Sequence, residues 1–399
     1  MAIHKIFNDP VYGFIRIPTG IILEIIEHPY FQRLQRIRQL GLTHFVYPGA
    51  VHTRFHHALG AFHLMTTALN VLREKGVHIT SEEYEASQLA ILLHDIGHGP
   101  FSHVLEHTLV PIHHEAITLM IMEQLNLEFE GQLTLAITIF KGQYHKQFLH
   151  QLISSQLDVD RLDYLTRDSF YTGVAEGVIG YDRLLLMIDV VDQQLVIEEK
   201  AIYSIEKFLI SRRLMYWQVY LHKTVICAEK MLQKVLQRAV SVGARTPFPF
   251  LNIFLEGGDK LKAGVQQWLF EFCQLDDHDL MGAIKHWQMH EDKILSTLCR
   301  CLVERKLLKV KLQADPFDPV LVADKQKEVA LALGITEAEA GYLVFTGVAS
   351  NTTYDPADER INILFRDGSI KDISQVDNAL VQHNLKDTVK KYYFCYWRV

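Results

Sequence analysis

Three imidazoles and one carboxylate fall within ten residues of this chain, in the stretch His94-Asp95-Ile96-Gly97-His98-Gly99-Pro100-Phe101-Ser102-His103. An apolar run, Leu89-Ala90-Ile91-Leu92-Leu93, leads directly into it. Imidazole and carboxylate groups are costly to bury at the end of such a run unless a hydrogen bond or a metal ion compensates them. Together they suit zinc, iron, manganese or similar ions, so the stretch predicts a metal-binding core. A lone His-Asp pair would fit a hydrogen-bonded core histidine beside a capping aspartate equally well.

Further histidines and acids on both sides of this stretch extend the candidate site. Most of the 21 histidines precede residue 160, and several lie in short clusters with apolar neighbours, as in His56-His57 and His113-His114-Glu115. Farther along, Asp158–Asp168 alternates acids and bases with apolar residues at helical spacing. A site formed by one histidine, the His-Asp pair and a distant aspartate is therefore a reasonable prediction.

The order His57, His94-Asp95, Asp160 resembles the ligand set of the HD-domain metal-dependent phosphohydrolases. The resemblance is closer to bacterial relatives of the SAM-and-HD-domain deoxynucleoside triphosphate triphosphohydrolases, and its motifs run from about Lys5 to Lys223. These motifs are Phe31-Gln32-Arg33-Leu34, Gln39-Leu40-Gly41, Tyr47-Pro48-Gly49-Ala50, Arg54-Phe55-His56-His57, the His94–His103 stretch and Asp158–Asp168. The resemblance implies a helical HD core and a divalent metal ion as cofactor, with Mn, Fe, Mg, Zn, Ni and Co all compatible.

The resemblance also implies roles for individual residues. The implied metal ligands are His57, His94, Asp95 and Asp160. Asp158 is the alternative to Asp160 and would otherwise be a helix-end or ion-pair acid. The implied catalytic residues are His103 as general acid and His98 and His114 at the triphosphate. The implied substrate contacts are Gln39 and Tyr220 near the deoxyribose, and Arg54, Arg161, Tyr164 and Asp168 at the phosphates or sugar. Each histidine could instead be a surface or supporting residue, and each tyrosine a core residue.

The implied reaction is hydrolysis of a deoxynucleoside triphosphate to the deoxynucleoside and inorganic triphosphate, by a metal-activated water that attacks the α-phosphorus. Two alternatives stay open. The first is an HD phosphohydrolase or phosphodiesterase that acts on another nucleotide. The second is a non-catalytic nucleotide-sensing assembly protein, which would have no need for the complete ligand set.

Composition limits the possible partners. A formal net charge of -7 argues against the broad basic surface that non-specific nucleic-acid binding needs, so a nucleotide phosphate must be held locally. The basic candidates are Arg33, Arg36 and Arg38 on one predicted helix, together with Arg54, Arg161, Arg167 and Lys223. No apolar run approaches the ~20 residues that span a bilayer. Met1–Lys5 also lacks a signal-peptide pattern, so we expect a soluble, cytoplasmic protein. The five cysteines form no paired C-x-x-C motif and are expected to be reduced.

The pattern predicts a mainly α protein with a helical HD catalytic domain over 1–306 and a smaller α+β lobe over 307–399. Predicted helices span 20–41, broken near His28-Pro29, then 55–75, the segment after the capping box at Thr80, 113–126, 133–140, 148–168 and 205–242. Two strands, 186–191 and 195–199, predict a small inserted β-hairpin. The turn signal Arg366-Asp367-Gly368-Ser369 predicts a second hairpin in the smaller lobe.

Two positions depart from the vertebrate members of the family, in which an allosteric nucleotide orders a tetramer. Glu27 and Gln35 stand where those members have an aspartate and an arginine, whereas Lys5 and Gln32 match. Loss of the arginine removes a bidentate partner for guanine or phosphate, so we do not expect a simple guanine-nucleotide switch. Because the motifs begin at Lys5, we expect no amino-terminal SAM domain. A homodimer or homotetramer is expected by analogy alone.

Overall fold

The structure is a computed structural model, and it describes residues 4–106, 108–110, 112–257, 268–352, 354, 359–376 and 388–399, with the His103 side chain left out. Eighteen α-helices and nine short strands lie within those residues, which confirms the mainly α class. None of the described helices is long and apolar enough to cross a membrane.

The amino-terminal half contains a hairpin and nine helices. The strands are β1 (His4–Asp9) and β2 (Gly13–Pro18); the helices are α1 (Ile21–Glu27), α2 (Pro29–Gln32), α3 (Arg54–Glu74), α4 (Ser81–Leu93), α5 (Ser102–Glu106), α6 (His114–Glu128), α7 (Thr134–Phe140), α8 (Gln147–Gln151) and α9 (Val159–Thr172). Short 3-10 turns cover Arg33–Arg36 and Gly41–Phe45. The β1–β2 hairpin was not predicted. It is antiparallel and buries Ile15 and Ile17 on its inner face.

The carboxyl-terminal half continues with further helices and two sheets. Its elements are α10 (Tyr181–Leu186), β3 (Ile188–Val191), β4 (Gln194–Glu198), α11 (Ile202–Met215), α12 (Lys223–Ser241), α13 (Pro249–Glu256), α14 (Leu269–Gln274), α15 (Asp277–Trp287), α16 (Lys293–Val303), β5 (Lys309–Gln313), α17 (Pro319–Leu333), α18 (Glu337–Ala340), β6 (Val344–Asn351), β7 (Asn362–Leu364), β8 (Ile370–Asp372) and β9 (Val389–Tyr396). One sheet has the order β5-β9-β6 and the other β3-β4-β7-β8. Because β4 pairs in parallel with β7, the inserted hairpin shares a sheet with strands from the smaller lobe.

Helices α3, α4 and α9 pack together and position the candidate site. The predicted capping box begins α4: the Thr80 hydroxyl accepts the Glu83 N–H, and the Glu83 carboxylate accepts the Thr80 N–H. Helix α4 ends at Leu93, so His94 comes directly where the apolar run stops. The predicted β3–β4 hairpin and the turn between β7 and β8 are both present, and Gly368 supplies the positive φ (82°) that the second turn needs.

Three predicted helices are interrupted. The prediction of a single helix over 205–242 was wrong. A π-helical turn at Tyr216–Tyr220 and the extended residue His222 separate α11 from α12. The His222 ring accepts the Thr224 N–H and so caps α12. Apolar periodicity continues through both helices, which is why it did not reveal the break.

The span 148–168 is also two helices, α8 and α9, because Asp158 is an N-cap whose carboxylate accepts the Arg161 N–H. In the span 20–41 the break at His28-Pro29 is confirmed. Beyond this break the chain forms only the short α2 and a 3-10 turn, so Arg33, Arg36 and Arg38 do not share one regular helix.

Candidate active site

Three helices bring His57, His94 and Asp160 to one point in the core. His57 lies in the first turns of α3, His94 comes directly after α4, and Asp160 is the second residue of α9. The His57 Nε2 lies 3.3 Å from the His94 Nε2 and 3.0 Å from the Asp160 Oδ1, and the His94 Nε2 lies 3.4 Å from the same oxygen. One ligand atom from each residue fits within 4.8 Å of the others. We call these residues the convergent cluster.

Hydrogen bonds on the far sides of the two rings determine which nitrogen faces the cluster. The His57 Nδ1 lies 2.7 Å from the Asp163 carboxylate, and the His94 Nδ1 lies 2.6 Å from the Ile91 carbonyl. Both acceptors require an N–H on Nδ1, so each neutral ring turns the lone pair of Nε2 toward the other ring. Two lone pairs 3.3 Å apart cannot hydrogen-bond each other, so a proton on one ring or a metal ion between the rings relieves this conflict.

Asp95 borders this cluster and completes a set of two imidazoles and two carboxylates. Its oxygens lie 3.5 Å from the His94 Nε2 and 3.8 Å from the His57 Nε2. Such a set suits borderline first-row divalent ions. The residues present therefore fit the divalent metal that the HD family implies, and all four predicted ligands lie together.

The charges around the convergent cluster also favour an added cation. Burial alone would lower the pKa of His57, but Asp160 and Asp163 raise it to about 10. Burial would likewise lower the pKa of His94, yet Asp95 and Asp160 raise it. Positive charge at the centre is thus stabilised by carboxylates on three sides.

A second group, His98, Glu106 and His114, lies next to the first and has a different geometry. The rings of His98 and His114 are stacked, with centroids 3.9 Å apart and planes 17° apart. The Glu106 carboxylate lies 2.7 Å from the His114 Nδ1 and also accepts the His114 backbone N–H. The His98 Nε2 lies 3.3 Å from the Asp95 Oδ1. We call these three residues the stacked cluster.

The stacked cluster is suited to hydrogen bonding rather than to holding an ion. Ring nitrogens bind a metal in the plane of the ring, and two nearly parallel planes cannot both contain the same ion. The burial of His98, together with the charge of Arg54, lowers its pKa to about 3, so its neutral form is favoured.

Arg54 connects Asp95 to the loop after His98. One guanidinium nitrogen pairs with Asp95, and another donates to the Ser102 hydroxyl at 2.7 Å. His103 lies in helix α5, next to Ser102, but its side chain is outside the described part of the chain. The predicted general acid therefore has a backbone position and no described side-chain contact.

A cavity of about 600 Å³ opens from these residues and collects most of the predicted substrate contacts. The predicted residues that line it are Arg38, Gln39, Arg54, Asp95, His98, His114, Asp160, Arg161, Tyr164, Asp168 and Tyr220; Phe101, Tyr216, Leu221 and Glu229 are among the others. On one wall the Tyr220 hydroxyl donates to Asp168 Oδ2 at 2.7 Å, and His52 lies 2.7 Å from Oδ1. The volume of the cavity is in the range of small-molecule binding sites.

Several basic candidates are engaged elsewhere. Arg33 is fully buried and donates to the Ile96 carbonyl, and Arg167 is held by Asp163 and Asp9. Arg36 pairs with Asp276, and Lys223 is exposed at the start of α12. These four do not line the cavity, so the cavity gives no support for them as phosphate ligands.

Two contributors were not assigned roles from the sequence. Asp163 orients His57, and its spacing from Asp160 on one helix and from Arg167 at i+4 could have revealed it. Glu106 lies one helical turn after His103 and contacts His114, but no local signal connects it to that residue. Asp158, the alternative ligand, is occupied as a helix cap and by an ion pair with Arg161.

Comparison with known proteins agrees with this geometry. The HD domain model matches residues 54–168, and the HD associated region model matches residues 179–253. The chain is 32% identical to the Bacillus subtilis protein YwfO over 95% of this chain and 88% of that protein. It is 29% identical to a Dictyostelium discoideum deoxynucleoside triphosphate triphosphohydrolase over 62% of this chain and 53% of that protein. The crystal structure of a phosphohydrolase from Bacteroides thetaiotaomicron superimposes with a TM-score of 0.94 and 51% identity, covering 99% of this chain and 100% of the other.

Proposed function

Because this chain belongs to the HD-domain family of metal-dependent phosphohydrolases, we propose that it hydrolyses deoxynucleoside triphosphates to the deoxynucleoside and inorganic triphosphate. One observation carries the proposal: a single cavity of about 600 Å³ is lined by Asp95 and Asp160 from the predicted ligand set, by His98 and His114 from the stacked cluster, by three arginines and by a tyrosine–aspartate wall. The similarity to a protein named as a deoxynucleoside triphosphate triphosphohydrolase supports the choice of substrate.

In this proposal His57, His94, Asp95 and Asp160 hold one divalent ion. Such an ion lowers the pKa of a water and neutralises phosphate charge, which provides a nucleophile at neutral pH. Asp163 and the Ile91 carbonyl keep both imidazoles in the tautomer that presents Nε2. These bonds hold the donor atoms in place before substrate binds.

The phosphates would bind between the two clusters. Arg54 is held by Asp95 and Ser102, and Arg161 by Asp158 and the Ser155 carbonyl, so both guanidinium groups are positioned in advance. Arginine suits this task because its donors match pairs of phosphate oxygens. His98 and His114 would donate hydrogen bonds to the triphosphate, and His103 would protonate the leaving oxygen.

The sugar would lie against Tyr220, Tyr164 and Gln39. Asp168 accepts from Tyr220 on one oxygen and contacts His52 on the other, so both of its oxygens are engaged. An added 2′-hydroxyl would have to compete with those bonds. This arrangement supports preference for a deoxyribose.

A product assay tests the proposal. Purified protein would be incubated with each dNTP and NTP and with Mn, Mg, Fe or Co, with and without a second nucleotide, and the phosphate products separated. We expect inorganic triphosphate from dNTPs and its loss in Asp95→Ala, while exposed Asp324→Ala retains full activity. Orthophosphate as the sole inorganic product, or full activity of Asp95→Ala after metal removal, would overturn it. Hydrolysis of a different nucleotide would favour the alternative substrate class.

We also propose that the chain forms a homodimer or homotetramer. This proposal rests on analogy with the family alone. Sedimentation analysis should give a mass that is a multiple of 46.0 kDa, and a monomer at micromolar concentration would contradict the assembly.

A further inference from the structure

Asp277 lies far along the chain from both clusters yet contacts the walls of their cavity. It is the first residue of helix α15, outside the segments that the two family models match. The helix does not need Asp277 as a cap, because Asp276 accepts the His278 N–H and Asp279 accepts the Asp276 N–H. Asp277 is nevertheless only 7% exposed, and its carboxylate is turned toward the backbone at Arg38.

One oxygen of Asp277 accepts the Arg38 N–H at 3.0 Å. The strand-like segment that contains Arg38 is tied on its other side to the start of α3, because Gln39 N–H donates to the His52 carbonyl and Arg54 N–H donates to the Ile37 carbonyl. Asp277 therefore holds the outer side of the segment that places Gln39 in the cavity.

The same carboxylate lies close enough to the backbone N–H of Phe101, in the stretch that contains His98 and Ser102, for that N–H to lower its pKa, while its Oδ1 makes no hydrogen bond within the described residues. Phe101 has a positive φ of 49°, which is unusual for a residue with a side chain and persists only where the surroundings enforce it. The next residue, Ser102, accepts a hydrogen bond from Arg54. A single buried carboxylate thus lies beside two backbone segments that both contribute to the cavity wall.

Retaining a carboxylate here has a cost. Burial raises the pKa of Asp277 to about 6, although the N–H groups of Arg38 and Phe101 act in the opposite direction. If Asp277 served only to fill space, an apolar side chain of similar size could do so without the cost of burying a carboxylate.

We infer that Asp277 is a positioning residue for the active site: it fixes the Gln39 segment and the Phe101–Ser102 segment relative to each other. The inference rests on the proposed function for its kinetic readout only. Substrate-positioning errors of about 1 Å typically cost about 100-fold in rate, which sets the expected size of the effect.

Three variants test this role. Asp277→Ala should lower kcat/KM for dNTP hydrolysis by about 100-fold, with most of the change in kcat. Asp277→Asn, whose amide oxygen still accepts one N–H, should recover part of the loss. Asp279→Asn is the matched control, because it removes a neighbouring acid of the same helix turn that does not touch the cavity.

Hydrogen exchange provides a readout that does not depend on the substrate. In Asp277→Ala, peptides covering residues 37–43 and 99–106 should both exchange faster, with bound metal unchanged, whereas Asp279→Asn should leave both peptides as they are. Equal kinetics in Asp277→Ala and wild type, faster exchange in one segment alone, or the same changes in Asp279→Asn would overturn the inference. If wild-type protein hydrolyses no dNTP, the proposed function fails, and the exchange comparison still decides the role of Asp277.

Discussion

The convergent cluster and the stacked cluster have the same composition, two histidines and one acid, and lie side by side. In both, the ligand atoms fit within 4.8 Å of one another. Their ring geometry separates them: the His57 and His94 planes are 73° apart, whereas the His98 and His114 planes are 17° apart. Crossed rings can direct two lone pairs at one point, and stacked rings cannot.

This difference teaches that residue content alone does not define a metal site. The orientation of each ring is set by what its other nitrogen contacts. In the convergent cluster those contacts are Asp163 and the Ile91 carbonyl, which turn both Nε2 atoms inward. In the stacked cluster Glu106 holds His114 by Nδ1, while Asp95 faces His98 by Nε2. The first arrangement suits a cation and the second suits proton and phosphate contacts.

The largest effect is expected when the convergent cluster loses its acid. Asp160→Ala should remove bound metal, measured by elemental analysis, and lower turnover at least about 1000-fold, because a metal supplies several kcal/mol of stabilisation at such centres. Asp158→Asn is the control. This variant changes the acid two positions before Asp160 to asparagine, which also caps helices well, so the protein should retain the metal. Metal loss in the control rather than in Asp160→Ala would assign the ligand to Asp158 instead.

The stacked cluster should respond differently to the same kind of change. His114→Ala should keep its metal and lose about 100- to 1000-fold in kcat, the range expected when one hydrogen-bond donor to the developing charge is removed. Glu106→Gln should lower kcat in the same direction by a smaller factor, since it removes only the carboxylate that orients His114. Loss of metal from His114→Ala would mean that the two clusters are one site and that the comparison is wrong.

A smaller effect is expected for Asp163, which contacts the His57 Nδ1 on the side of the ring away from the convergent cluster. Asp163→Asn weakens the group that fixes the His57 tautomer, so metal affinity should fall about 10- to 100-fold in a competition titration. The matched control is Asp9→Asn, because Asp9 shares Arg167 with Asp163 but does not contact His57. It should destabilise the fold without changing metal affinity. Equal losses of affinity in both variants would attribute the effect to Arg167 rather than to the tautomer.

The resemblance to the HD-domain family was sufficient to predict the three residues of the convergent cluster and the bordering Asp95, which the structure brings together. Their spacing places each at an end of a strongly periodic helix, and such ends can be located from caps and apolar runs, as the Thr80–Glu83 capping box illustrates. The mainly α class could be predicted from the same periodicity. The ligand role of these residues stays a prediction until metal is measured.

Ring orientation and long-range contacts could not be predicted. The stacking of His98 on His114 depends on how α6 approaches the turn after α4, and no local pattern encodes that approach. Gly97 permits it: a Cβ there would lie 2.3 Å from both the His114 carbonyl oxygen and the Thr118 nitrogen. Asp277 likewise acquires its role only from partners distant in sequence.

The smallest effect is expected for Thr118 in helix α6, which begins at His114 of the stacked cluster. The Thr118 hydroxyl connects this helix to the backbone at His94 of the convergent cluster. It accepts the Gly97 N–H at 3.0 Å and donates to the His94 carbonyl at 3.1 Å, and the residue is fully buried. Thr118→Val keeps the shape but leaves both backbone groups without a partner. Chemical denaturation should therefore show a loss of about 1–3 kcal/mol in the free energy of unfolding.

Metal content and kcat should stay close to wild type in Thr118→Val, because the ring contacts of both clusters lie on side chains that this hydroxyl does not touch. Thr118→Ser restores the hydroxyl and should recover much of the stability, which separates the hydrogen bonds from the effect of the methyl group. A fall in kcat without loss of stability would contradict this view. It would mean that the bond from α6 to the His94–His98 turn, and not the orientation of each ring, sets the difference between the two clusters.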